Sequence, residues 1–87
     1  MKTIKTIGKF RFECNSQVNP LNGDGIYHMC YLYENDKLMD CASVLYSNRS
    51  WEAYRYQSIM QQAVRHLIQE APDPKRMKEL KGLFEML

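Results

Sequence analysis

Apolar residues recur along this chain at two different periods. Up to Tyr46 they fall on every second position, and beyond residue 53 they return at intervals of three and four, so a sheet is expected first and helices after it. Within residues 3–14, Ile4, Phe10, Phe12 and Cys14 alternate with Lys5, Lys9, Arg11 and Glu13. That alternation predicts one half-buried strand, with Gly8 as a bulge or bend inside it. Residues 15–25 are rich in Asn, Ser, Pro, Gly and Asp and read as a loop. Ile26–Glu34 and Lys37–Tyr46 are apolar, tyrosine-rich runs joined by Asn35 and Asp36, which tolerate the positive φ angles of a tight hairpin turn. Counting back from that turn sets Leu32 opposite Met39, Cys30 opposite Cys41, His28 opposite Ser43 and Ile26 opposite Leu45. A one-residue bulge would shift every one of these pairs.

Residues 48–58 are the hinge between the two regimes. Ser47, Asn48 and Ser50 are all competent helix caps, Ser50 the preferred one, and Glu52 opposes the positive end of the helix dipole. From there Ala53, Tyr56, Met60, Ala63, Val64 and Leu67 share one stripe at 100° per residue, the face expected to cover the sheet, and Pro72 ends the helix. Asp73 followed by Pro74 is a cap with a first-turn proline, and Met77, Leu80, Leu83, Phe84 and Leu87 mark a second helix. The fold class predicted is therefore α+β. A three-stranded antiparallel sheet packs on one long helix, with a short C-terminal helix completing the core or an oligomer.

Composition narrows the class. Eighty-seven residues suffice for one domain spanning the chain, and 45% hydrophobic with 25% charged residues is a globular balance. A net charge of +2 is too small to identify a nucleic-acid binder on its own. The three cysteines, Cys14, Cys30 and Cys41, are an odd number without a C-x-x-C pair, which favours a reducing, cytoplasmic setting over a secreted disulfide scaffold. No apolar run of signal-peptide or membrane length is present, so a soluble, unprocessed protein with no membrane partner is expected.

Three constellations carry candidate chemistry. Trp51, Tyr54, Arg55, Ser58, Gln62 and Arg65 lie opposite the core stripe of the long helix, an aromatic and arginine face with the composition of a protein-interface hot spot. The competing reading folds Trp51 back over the sheet edge or the C-terminal helix. The outer sheet face would combine Lys5, Lys9 and Arg11 with Tyr27, Tyr31 and Tyr33, able to stack bases and hold phosphates, although tyrosines also occur in strands simply because they suit them. Cys14, His28, Cys30 and Cys41 share one face by parity, but their spacing is not that of a zinc finger or knuckle, so no metal and no cofactor is expected. His28 and His66 have no evident acid or nucleophile partner in sequence, and Gly-rich phosphate loops are missing, which argues against an enzyme. Lys75, Arg76, Lys78 and Lys81 give the last helix a basic side, interrupted by Glu79 and Glu85 and read as solvated.

The hairpin and the run Asn-Arg-Ser-Trp-Glu-Ala-Tyr-Arg-Tyr-Gln-Ser at residues 48–58 resemble small uncharacterised proteins carried by bacteriophages and other mobile elements. The resemblance covers about half the chain and concerns pattern, so no functional residue transfers. It implies a non-enzymatic binding protein that inhibits or regulates a host protein, a defence nuclease of the CRISPR type being the expected target. The alternatives are a nucleic-acid-binding module using the tyrosine and lysine face, or a homo-oligomeric structural component burying its C-terminal helix.

Overall fold

The structure is a computed structural model, and it describes residues 2–18, 21, 25–46 and 54–87. Four strands, β1 (Lys2–Ile7), β2 (Phe10–Val18), β3 (Ile26–Glu34) and β4 (Lys37–Tyr46), form an antiparallel meander in the order β1-β2-β3-β4. Two helices complete the chain, α1 (Tyr54–Gln69) and α2 (Pro74–Glu85). The α+β class is as expected, but the sheet has a fourth strand.

The extra strand comes from Gly8. It adopts φ +59° and starts a two-residue turn with Lys9, so that Ile7 pairs with Phe10. Glycine at the first turn position with positive φ is the requirement of a type II′ hairpin. A two-residue turn also reverses parity. Thr3, Lys5 and Ile7 lie across from Cys14, Phe12 and Phe10 on one face, whereas Ile4 lies across from Glu13 on the other. The expected loop at residues 15–25 is shorter too, because β2 continues through Asn15, Ser16, Gln17 and Val18, each paired with a residue of β3. Turn-forming residues are held extended there by a neighbouring strand that offers them hydrogen bonds, a tertiary override of propensity.

Asn35 and Asp36, at φ 50° and 66°, make the turn expected between β3 and β4. A register shift at Leu32/Tyr33 then moves the rest of β4 by one residue. Leu32 faces Asp40, Cys30 faces Ala42, His28 faces Val44 and Ile26 faces Tyr46, which replaces the pairing expected from the turn alone. Because side chains alternate, this one-residue bulge turns Cys41 to the opposite face from Cys14, His28 and Cys30 and breaks up that quartet.

Phe10, Phe12, Cys14, His28, Cys30, Leu32 and Ala42 form the sheet's contribution to the core. Tyr56, Met60, Ala63, Val64 and Leu67 of α1 cover them as the stripe predicts, joined by Ile59. Ser50, Glu52 and Ala53 lie outside the described residues. At the far end, Glu70 and Ala71 donate back to the Leu67 and Ile68 carbonyls before Pro72. Asp73 caps α2, its Oδ1 accepting from the Arg76 backbone N–H at 2.7 Å. Leu80 and Leu83 of α2 enter this same core, so the C-terminal apolar stripe is used within the domain.

An ion-pair network pins α2 to the sheet. Arg76 donates through Nη1 and Nη2 to both Glu34 carboxylate oxygens, at 2.8 and 2.6 Å, and Lys9 Nζ bridges Glu34 and Glu79 at 2.9 and 2.8 Å. The two-pronged Arg76 contact, and after it Lys9, holds the Glu34 carboxyl down at about 2. A depressed folded-state value gives stability that is present above the ordinary carboxylate range and lost as pH falls through about 2. Glu34→Gln is therefore expected to lower stability by about 1 kcal/mol at pH 7, between the surface and buried limits for ion pairs. Urea midpoints of variant and parent should converge as pH is taken from 4.5 toward 2; a constant gap would contradict the assignment.

Candidate binding surface

Both helices pack on one side of the sheet, and the other side is built by the alternate positions. On it lie Ile4 and Thr6 of β1, Arg11, Glu13, Asn15 and Gln17 of β2, Tyr27, Met29, Tyr31 and Tyr33 of β3, and Leu38, Cys41, Ser43 and Leu45 of β4. None of these is in the buried core. Ile4, Leu38 and Leu45 are 56%, 52% and 44% exposed, and the three tyrosines and Met29 are half-buried by one another and their cross-strand neighbours. Four strands about 4.8 Å apart and about 20 Å long give a plan area of roughly 400 Å², the size of patch that marks interaction sites on small proteins.

The charges on this face neutralise one another. Arg11 Nε donates to Glu13 Oε2 at 3.0 Å, its Nη1 pairs with Asp36, and Lys2 Nζ meets Glu13 Oε1 at 3.0 Å. The Glu13 carboxyl is held below its ordinary range, first by Lys2 and then by Arg11. The Arg11 guanidinium also lies 4.5 Å from the Tyr33 ring centroid, a cation–π contact that fixes both groups. Tyr31 directs its hydroxyl to Met29 Sδ at 3.9 Å.

Of the six residues expected to bind nucleic acid, the structure gathers four on this face: Arg11, Tyr27, Tyr31 and Tyr33. Lys5 falls on the helix side because the Gly8 turn reverses parity, and Lys9 sits in that turn committed to Glu34 and Glu79. The tyrosine ladder is thus as expected and the accompanying cations are not. Of the helix-face set, Trp51 and the side chains of Tyr54 and Arg55 lie outside the described residues. Ser58, Gln62 and Arg65 are exposed on α1, and the Arg65 guanidinium stacks 5.2 Å from the Phe84 ring of α2.

Two polar clusters escape a reading of the sequence. Ser16 Oγ lies 2.7 Å from His28 Nδ1 and 2.6 Å from Tyr56 Oη, tying β2, β3 and α1 together. The even positions of β2 run Phe10, Phe12, Cys14 and then Ser16, so continuing that parity through the supposed loop would have placed Ser16 beside His28. A serine within reach of an imidazole is the beginning of nucleophile–base geometry. Here His28 has no exposed surface and Tyr56 only 3%, while Ser16 is half-buried, and the group serves as a hydrogen-bond link between elements. The second cluster is His66 Nδ1 to Asp40 Oδ2 at 2.9 Å, made possible by the bulge that turns Asp40 toward α1.

Cys14 and Cys30, directly opposite on β2 and β3, form a disulfide, and Cys41 is exposed on the outer face. The odd count hides a bonded pair plus one free thiol, so the inference of a reducing compartment loses its premise. Among the described residues no group of three or more His, Cys, Asp or Glu is placed to hold a metal ion, and no helix is long and apolar enough to cross a membrane. Comparison of the chain with protein families, curated proteins and solved structures finds no match.

If the outer face is a surface and the inner one the core, truncations should separate them. Tyr31→Ala is expected to cost under about 1 kcal/mol, and Phe12→Ala, at a fully buried position, about 3–5 kcal/mol. Chemical denaturation of the two variants checks this. Equal losses would mean that the tyrosine face is internal.

Proposed function

We propose that the protein is a small non-enzymatic binding protein of a phage or mobile element, which inhibits or regulates a host protein, a defence nuclease of the CRISPR type among the candidates, by covering part of its surface. One observation carries the binding part of this reading: the outer sheet face presents Tyr27, Met29, Tyr31 and Tyr33 between exposed Ile4, Leu38 and Leu45, with no helix over it among the described residues. Tyrosine and methionine are enriched at protein interfaces, where an aromatic body supplies contact area at little entropic cost and the hydroxyl satisfies itself at the rim. A sheet held by two hairpins, a disulfide and an ion-pair network is a rigid platform, which lowers the cost of association.

A protein partner suits this face better than nucleic acid does. Phosphate binding draws on uncommitted cations, whereas Arg11 and Lys2 are paired with Glu13 and Asp36, and Lys5 and Lys9 belong elsewhere. The phage setting rests on the sequence resemblance alone. The host cytoplasm as the place of action rests on that same resemblance.

The test is capture from host lysate by the immobilised protein, with and without nuclease and at two salt concentrations. A defined protein should be retained after nuclease treatment, lost with Tyr27→Ala/Tyr31→Ala/Tyr33→Ala, and kept with Trp51→Ala/Tyr54→Ala/Arg55→Ala. Loss with the second set alone would move the site to the helix. Capture abolished by nuclease or by modest salt would favour nucleic acid instead.

A further inference from the structure

The two edges of the sheet are treated differently. β1, Lys-Thr-Ile-Lys-Thr-Ile, carries Lys2 and Lys5 in six residues, the usual protection of an exposed strand edge against pairing. β4 is longer, at 10 residues, and its only charges, Lys37 and Asp40, stand at or before the bulge. Asp40 is further drawn to the helix side by His66. Beyond it, Cys41, Ala42, Ser43, Val44, Leu45 and Tyr46 form a regular strand without charge, proline or glycine, lying at the end of the strand order.

We infer that this edge pairs with the same edge of a second copy, joining two sheets into one of eight strands about a two-fold axis. The segment is complementary to itself. Antiparallel pairing centred on Ser43 sets Ser43 against its counterpart and Cys41 against the partner's Leu45 on the outer face. On the helix side it sets Ala42 against the partner's Val44. Like residues stay on like faces, as a continuous sheet requires, and no like charges meet. A two-fold, isologous contact is the commonest form of oligomer, and here the strand ladder supplies its register. The lysines of β1 oppose the same pairing at the other edge, so the association stops at two copies. The dimer sets two tyrosine faces side by side on one surface, leaving both open. The inference stands whatever partner those faces take.

Sedimentation velocity on the full chain, from low micromolar to hundreds of micromolar, tests it. The expected species is a dimer of the 10.3 kDa chain, returned to monomer by Ser43→Lys, which sets two ammonium groups across the axis, and unaffected by Thr6→Lys on the β1 edge. Circular dichroism establishes that each variant is folded. Should Ser43→Lys fail to fold, oxidation of Ser43→Cys in a Cys41→Ser background decides: a covalent dimer is expected, and none from Thr6→Cys in the same background. A wild-type chain monomeric at every concentration, or a dimer that persists in folded Ser43→Lys, overturns the inference.

Discussion

A four-stranded sheet has two faces, and among the described residues both helices lie on the same one. This one-sided covering governs the rest of the molecule. It requires that β2 and β3 send Phe10, Phe12, Cys14, His28, Cys30 and Leu32 inward, that α1 meet them with a single apolar stripe, and that α2 contribute Leu80 and Leu83 at the margin. Among the described residues no element covers the opposite face, which has to be compatible with water while remaining extended and paired. Tyrosines and mutually neutralised ion pairs meet that condition, and they also give a surface suited to a partner.

The covered side is fastened at both ends. Near the two hairpin turns, Lys9, Glu34, Arg76 and Glu79 tie β2, β3 and α2, and the Asn35 N–H donates to the Lys9 carbonyl at 2.9 Å, linking one turn to the other. Toward the start of α1, the Ser16, His28 and Tyr56 link and the Cys14–Cys30 disulfide tie β2 and β3 to each other and to the helix. Gln57 Nε2 donates to the Leu87 carbonyl, which closes the end of α2 against the beginning of α1. Polar groups thus fix where the elements sit, and apolar burial supplies most of the driving force. Binding through a platform of this kind asks little rearrangement of it.

The parts of this fold legible in the sequence are those with local signals. Asn35-Asp36 marks the second hairpin, Asp73-Pro74 marks the start of α2, and the apolar stripe of α1 is correct at every described position. The parts that could not be read depend on parity. Ile4 and Phe10 look like members of one strand face, but the Gly8-Lys9 turn places them on opposite faces, exposing Ile4 and sending Lys5 to the helix side. The β4 bulge does the same to Cys41 and Asp40, dissolving a supposed cysteine and histidine group and creating the Asp40–His66 contact. Asn15 to Val18 have loop composition, and only the presence of β3 beside them makes them a strand. The tyrosine ladder is visible because Tyr27, Tyr31 and Tyr33 share one strand and need no register to share a face; its charge state is not, since Arg11, Glu13, Lys2 and Asp36 come from separate elements.

The central claim, that the tyrosine face is open while the opposite face is the core, is tested most directly by the accessibility of individual tyrosine rings. In solution NMR of the isolated protein with a soluble paramagnetic probe, the ring protons of Tyr27, Tyr31 and Tyr33 should broaden strongly while those of Tyr56, buried between α1 and the sheet, stay protected. Protection of all four alike would contradict the account.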